Sequence, residues 1–350
     1  MEIKSLIKQY IGLYMSRYGS NALPEQLKAL RSMLYCQTPA SGELYAKCPD
    51  CDHGEWRPLS CGNRHCPQCL NHQTSSWIDK QQEKLMPVPY FLATFTLPYE
   101  LRYLAYGHQK TVYSIMFSCA AEVLRTFAAN PKHLGAEIGM TMVLHTHARD
   151  LSYHPHIHVL IPGGGIDRRL CKWRRVKSDY LFNGFALAKK FRGKFLDMIR
   201  AAGLTLPGTV PMKWVAHCEY VGNGLPALKY LARYLYRGVI SEKNIVARRN
   251  GKVTFRYRHS TTGEVQYRTV DGEDFLQLIL KHVLPKGFRR VRDYGFLHGN
   301  ARKIRTLIQL ILHVFTWLQP KQRQKPKLSC PKCRSAMRAV GFRFDYGKSG

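Results

Sequence analysis

Acidic side chains are scarce in this chain. Only 23 Asp and Glu stand among 350 residues, against 54 Lys and Arg, for a formal net charge of +31. Such a field draws polyanions, and nucleic acid is the commonest of them; a merely basic surface explains a small excess but not one this large. Long apolar runs are missing too. The stretch from Leu307 to Leu318 is broken by Gln309 and His313, short of the roughly 20 residues a membrane span needs. The opening MEIKSLIKQYIGLYMSRY has no apolar block or cleavage site of a secretory signal, so the expected compartment is the cytoplasm, with no membrane partner. Internal repeats are lacking. Nor do the eleven cysteines resemble a secreted disulfide framework, because seven fall in three tight groups, Cys48/Cys51, Cys61/Cys66/Cys69 and Cys330/Cys333.

What is present suits an α+β protein. With 45% hydrophobic residues the chain is globular rather than disordered. Residues 1–35 have the apolar spacing of two helices, and a cysteine-rich module follows to about Cys69. From Tyr90 the periodicity reads YFLATFTLP (strand), ELRYLAYGHQKTVYSIMFSCAAEVLRTFAA (helix), IGMTMVLHTH (strand), HPHIHVLIP (strand), FNGFALAKKFRGKFLDMIRAAG (helix) and MKWVAHCEYV (strand). That β-α-β-β-α-β order predicts a split βαβ, ferredoxin-like sheet with helices on one face. The helix LPALKYLARYLYRG follows, then VTFRYRH and EVQYRTV as a hairpin, and a helix from Asp271 to Val283. The expected division is 1–85, a helical and cysteine-rich module; 86–240, a sheet core carrying the tyrosine helix; 241–318, a basic hairpin and helical extension; and 319–350, a tail with CPKC.

In YHPHIHVLIPGGG, His154, His156 and His158 alternate and therefore share one strand face, while Ile157, Val159 and Ile161 share the other. Imidazoles so placed converge on a metal ion through neutral nitrogens. Pro155 favours His156 and His158 as the regular pair, and His154, Asp150 and Glu219 are the candidates for a third ligand. In KYLARYLYRG, Tyr230 and Tyr234 are four residues apart and stack on one helix face, with Arg233 and Arg237 beside them, suited to meet a phosphate. A phenol ionises only near pH ~10, so it attacks phosphorus only when a cation polarises the phosphate. Each motif thus supplies what the other lacks.

CPDC at Cys48 to Cys51 and CPQC at Cys66 to Cys69, fourteen residues apart, have the spacing of a four-thiolate zinc site, with Cys61 and His65 as substitutes for one ligand or as bystanders. CPKC at Cys330 to Cys333 needs ligands from elsewhere before it binds anything. From Lys281 to Lys327 there are twelve Lys or Arg and one acid, Asp293. Within that stretch Lys286, Arg289, Arg290 and Arg292 are expected to contact DNA phosphates, and Phe288, Tyr294 and Phe296 to stack on unpaired bases.

The His-hydrophobe-His element, the Tyr-x-x-x-Tyr helix and the stretches LHTHARDLSYHPHIHVLIPGGG, LKYLARYLYR and HVLPKGFRRVRDYGFL together resemble the HUH endonucleases, and within them the IS91-type rolling-circle transposases. The amino-terminal cysteine module is similar to the zinc-binding domain of that family. The resemblance implies cleavage of single-stranded or hairpin DNA ends by a tyrosine, leaving a 3′-hydroxyl and a 5′-phosphotyrosine, with Mg²⁺ or Mn²⁺ at the histidines and Zn²⁺ at the cysteines. Where the family usually has tryptophan this chain has His147, one more possible ligand. A plasmid replication initiator or relaxase of the same chemistry, and a non-catalytic zinc-dependent DNA-binding regulator, are the competing expectations.

Overall fold

The structure is a computed structural model that describes residues 2–69, 71–232, 235, 238–314 and 328–344. It has two compact units, one drawn from residues 1–74, 236–283 and 320–350, the other from 75–235 and 284–319. Each is built from separated segments, unlike the four consecutive domains expected from sequence. The reason is long-range strand pairing and helix packing, which composition does not carry.

The second unit is organised by a five-stranded antiparallel sheet of β1 (Tyr90–Thr96), β2 (Met140–His147), β3 (Tyr153–Pro162), β4 (Ala216–Tyr220) and β5 (Val291–Tyr294), in the order β5-β2-β3-β1-β4. The histidine strand β3 is therefore central. Ile157, Val159 and Ile161 of β3 and Met140, Met142 and Leu144 of β2 enter the core, against helices α1 (Gln109–Ala129) and α2 (Gly184–Ala201). Helix α1 is long and apolar enough to cross a membrane by length and composition, but most of its apolar face is buried in this core. The single helix expected from Glu100 to Ala129 is broken at His108, where φ −124° and ψ 44° leave the helical region. Helix α2 is capped by Asn183, whose Oδ1 accepts from Ala186 N.

Strand β5 falls inside the stretch expected to be a free phosphate-contacting surface. Its one acid explains the difference. Asp293 accepts from Thr141 Oγ1 at 2.7 Å and pairs with Lys84 at 2.6 Å, which holds β5 on the sheet edge.

In the first unit, helices Ile3–Tyr18, Pro24–Tyr35 and Gly272–Leu280 pack together, with Gln26 Nε2 donating to Leu280 O. The expected hairpin is present as Lys252–Arg258 paired with Val265–Asp271, extended by a third strand, Ile245–Arg249. A separate three-stranded sheet joins Glu43–Lys47 to Gly54–Pro58 on one side and to Arg338–Arg343 on the other.

Candidate active site and cysteine groups

The antiparallel register decides which histidines meet. His145 on β2 stands opposite His156 on β3, so the two share a face, and His158 lies two residues further on that face. The donor atoms of His145, His156 and His158 all lie within 4.8 Å of one another. His156 Nδ1–H donates to the carbonyl of His154 at 2.7 Å, which turns the Nε2 lone pair inward as the available ligand atom. His158 Nδ1 is hydrogen-bonded to Thr94 Oγ1 at 2.9 Å, so it too is oriented by its second nitrogen.

His154 is not in this group. Although the strand runs unbroken through Pro155 from Tyr153, the His154 Nδ1 is engaged by the Arg102 guanidinium at 2.5 Å. The other third-ligand candidates stand elsewhere: Asp150 caps its own turn through Ser152, and Glu219 sits opposite Leu92 on the β1–β4 ladder. His147 lies beyond a register shift that separates it from His145. Sequence reasoning missed His145, although parity carried the signal, since Met140, Met142 and Leu144 go to the core and residue 145 must take the other face. It also missed Arg102, a half-buried cation beside the trio.

Burial keeps these imidazoles neutral, the ligating form. It pushes His156 down to about 3 and His158 to about 4, and takes His145 well below the usual histidine range, with the neighbouring imidazoles of His158 and His156 adding to the effect. These lowered values make folding acid-sensitive. Above pH ~6.5 the imidazoles are neutral folded or unfolded and the full stability is present, while below it only the unfolded chain takes up protons, until the folded values near 3 to 4 are reached. Stability should therefore fall on acidification by about 1.4 kcal/mol per pH unit for each such group. Calorimetry between pH 7 and 5.5, where carboxylates stay ionised, should show a lower midpoint at the acid end; an unchanged midpoint would contradict the burial.

The tyrosine helix α3 (Leu225–Ala232) crosses this face of the sheet. Gly224 starts it with φ +79°, and a Cβ there would lie 2.6 Å from the Tyr90 ring, so only glycine lets the chain turn this tightly onto β1. Leu228 and Leu231 are buried as the helical spacing predicts, and the half-buried Tyr230 ring stands 5.9 Å from that of His158 and 6.4 Å from that of His145. Arg290 Nη1 reaches Leu235 O at 3.5 Å, and the same residue's carbonyl accepts from Leu144 N on β2, so one residue ties the end of this segment to the sheet. Tyr234, Arg233 and Arg237 lie outside the described residues.

The expected zinc set of Cys48, Cys51, Cys66 and Cys69 is not brought together. Cys36, at the end of helix Pro24–Tyr35, joins Cys61, Cys66 and Cys69, while Cys48 and Cys51, at the tip of a hairpin, meet Cys330 and Cys333. Spacing alone pairs neighbours in sequence, and here the hairpin carries the first CPxC turn away from the second. In the first group Cys36 Sγ lies 3.1 Å and Cys61 Sγ 3.6 Å from Cys69 Sγ. Burial pushes the Cys36 thiol up to about 12. His65 is buried nearby but is not among the four.

Among the basic residues expected on DNA, Lys286 and Arg289 are exposed. Arg292 instead packs over Phe117 at 4.4 Å and Phe288 at 5.1 Å and donates to Ser114 Oγ. Phe288 and Phe296 are buried in cores, which removes them as stacking platforms for bases. A cleft of about 990 Å³ lined by Lys110, Arg125, Arg289, Arg292 and His298 opens beside them.

Residues 6–97 match an IS91 transposase zinc-binding domain, and residues 139–305 match a family described as "Putative transposase". A relative from Sinorhizobium fredii named as transposase y4qJ is 32% identical over 333 residues, covering 88% of this chain and 83% of that protein. The chain belongs to the IS91-type transposases. The transposase of insertion sequence element IS801 from Pseudomonas savastanoi pv. phaseolicola is 28% identical over 296 residues, 78% of this chain and 70% of its own length. No solved structure matches the chain. Within this transposase the 139–305 match contains the three histidines, Tyr230 and Arg290. The 6–97 match contains all of Cys36, Cys61, Cys66 and Cys69 but only half of the other cysteine group.

Proposed function

We propose that this transposase nicks and joins single-stranded or hairpin DNA ends by transesterification on Tyr230, as an HUH-type nuclease on a ferredoxin-like sheet. The observation that carries the reading is the Tyr230 ring standing over the His145, His156 and His158 group. The strand order β4-β1-β3-β2, with α1 and α2 on the opposite face, supports the split βαβ arrangement. The trio fits a divalent cation, Mg²⁺ or Mn²⁺, which supplies charge to polarise the scissile phosphate. Nitrogen donors favour Mn²⁺ of the two.

In the first step a bond forms between Tyr230 Oη and phosphorus while the bond from phosphorus to the 3′-oxygen breaks. The phenolic proton passes to solvent and the departing 3′-oxygen takes one up. Arg102 stands beside the trio as a fixed positive charge for a phosphate oxygen. Rejoining reverses the step with another 3′-hydroxyl, so the bond energy is kept and no nucleotide cofactor is needed. Tyr234 serves as the second nucleophile in this scheme. Zinc in the amino-terminal domain falls to Cys36, Cys61, Cys66 and Cys69, and the bacterial relatives fit a cytoplasmic site of action.

The test is to incubate the purified protein with labelled single-stranded transposon ends and Mn²⁺, then run a denaturing gel. A covalent protein–DNA adduct is expected. Specific binding without any adduct would instead support the regulator, and adducts formed only on plasmid origins would support the replication initiator or relaxase.

The cation-lined cleft gives a separate expectation for binding. Arg289→Ala should weaken single-stranded DNA binding several-fold on all sequences, and should lower the slope of log affinity against log salt by about 0.7, the contribution of one released counterion on a single strand. A salt titration by fluorescence anisotropy checks it, and an unchanged slope would remove Arg289 from the phosphate contacts.

A further inference from the structure

We propose that Cys48, Cys51, Cys330 and Cys333 hold a second zinc ion, which fastens the carboxy-terminal strand to the amino-terminal sheet. The zinc-binding domain match stops at residue 97, so it assigns nothing to Cys330 and Cys333. The inference is also independent of the nuclease chemistry.

The thiols are arranged for a tetrahedron. Cys48 Sγ lies 3.5 Å from Cys333 Sγ, Cys51 Sγ lies 3.6 Å from Cys330 Sγ, and all four fall within 4.8 Å of one another. With Zn–S bonds of ~2.3 Å, the edge of a tetrahedral ZnS₄ site is about 3.8 Å. A disulfide would need sulfurs at ~2.05 Å. The short contacts cross from one CPxC turn to the other, which is the interleaving of four corners around one centre.

The two turns share a backbone design. In each the residue after the second cysteine is left-handed, Asp52 at φ +54° and Arg334 at φ +65°. In each the amide of the first cysteine donates back across the turn, Cys48 N to His53 O and Cys330 N to Ser335 O, both at 2.8 Å. Two turns of the same shape, 279 residues apart between Cys51 and Cys330, present their sulfurs to one point.

Packing gives an independent reason for a metal. Among the described residues the core here consists of Ala46, Cys48, Cys330 and Met337, with Leu328 at its edge. So small a core does not hold a sheet together unaided. Strand Arg338–Arg343 nevertheless pairs along the whole of Glu43–Lys47, with Arg343 Nε donating to Glu43 at 2.6 Å and its guanidinium 4.3 Å over the Trp56 ring. Zinc binding releases the four thiol protons and supplies the missing stability as coordination energy. Strand Arg338–Arg343 thereby becomes part of the zinc module formed by the amino-terminal sheet.

The experiment uses the full chain purified without chelator. Mass spectrometry of zinc content should show one zinc fewer per chain in Cys330→Ser/Cys333→Ser than in the parent, with the zinc at Cys36, Cys61, Cys66 and Cys69 retained. Equal zinc in the two proteins would overturn the proposal. Should the variant fold poorly, alkylation of the parent protein decides. Cys333 is exposed, so as a free thiol it would react readily with iodoacetamide, whereas zinc-bound it should react at least ~10-fold more slowly and speed up on chelation. Rapid alkylation of Cys333 in the zinc-loaded protein, unchanged by chelator, would also overturn it.

Discussion

Replacing Tyr230 by phenylalanine is expected to abolish the first covalent DNA adduct, with a loss of at least about 10³-fold in cleavage rate, the scale seen when a nucleophile is removed from a catalytic constellation. The substitution takes away one oxygen and keeps the ring, so the packing of α3 on the histidine face should survive. A thermal midpoint close to the parent and unchanged affinity for single-stranded DNA should accompany the loss. Adduct formation is read on a denaturing gel under single-turnover conditions. Parent-like adduct in Tyr230→Phe would show that another hydroxyl makes the first attack, and the same measurement on Tyr234→Phe would then identify it. The geometry favours Tyr230 because its ring is within 6.4 Å of two of the three histidine rings.

The second large effect concerns the cation. His145→Ala and His156→Ala should each lower cleavage by roughly 10²–10³-fold and weaken Mn²⁺ binding in calorimetry, because loss of one of three ligands leaves an incomplete shell. DNA binding through phosphate contacts should persist. His154→Ala separates this site from the arrangement expected from sequence. Its Nδ1 is held by Arg102, so the variant should keep Mn²⁺ affinity within a few-fold of the parent and lose activity only moderately, through a loosened Arg102. If His154→Ala abolished metal binding while His145→Ala spared it, the third ligand would be His154 and the register-based site would be wrong.

Much of the site is legible in one dimension because its signals are local. His156 and His158 announce a shared strand face by period two, and Leu228, Tyr230 and Leu231 announce a helix with a core margin. Those rules depend only on backbone geometry within a few residues. His145 required one more step, the register of β2 against β3, which is fixed by hydrophobic parity but read only when two strands are considered together. Arg102 carried no signal, because its partner His154 is distant in sequence and meets it only where the chain turns at the end of β1.

The aromatic residues of the basic stretch show the opposite error. Phe288 and Phe296 beside arginines look like a base-stacking surface, but β5 pairs with β2 and Asp293 anchors it, so those rings turn into the protein. A charge run has the same composition whether it lines a groove or forms the rim of a sheet. The cysteines illustrate the limit of spacing arguments. CPxC identifies a turn that offers two thiols, but a tetrahedron needs two more, and which turn supplies them depends on where distant strands are placed.

By itself, then, the sequence determined the chemistry on offer: a cationic chain with imidazoles in a row, phenols on a helix and thiols in pairs, because residue type and short spacing are written directly in it. The tertiary structure decided the partnerships. His145 joins the row, Tyr230 stands over it, and thiols from the two ends of the chain meet, because strand register and sheet order bring together groups that no local pattern links.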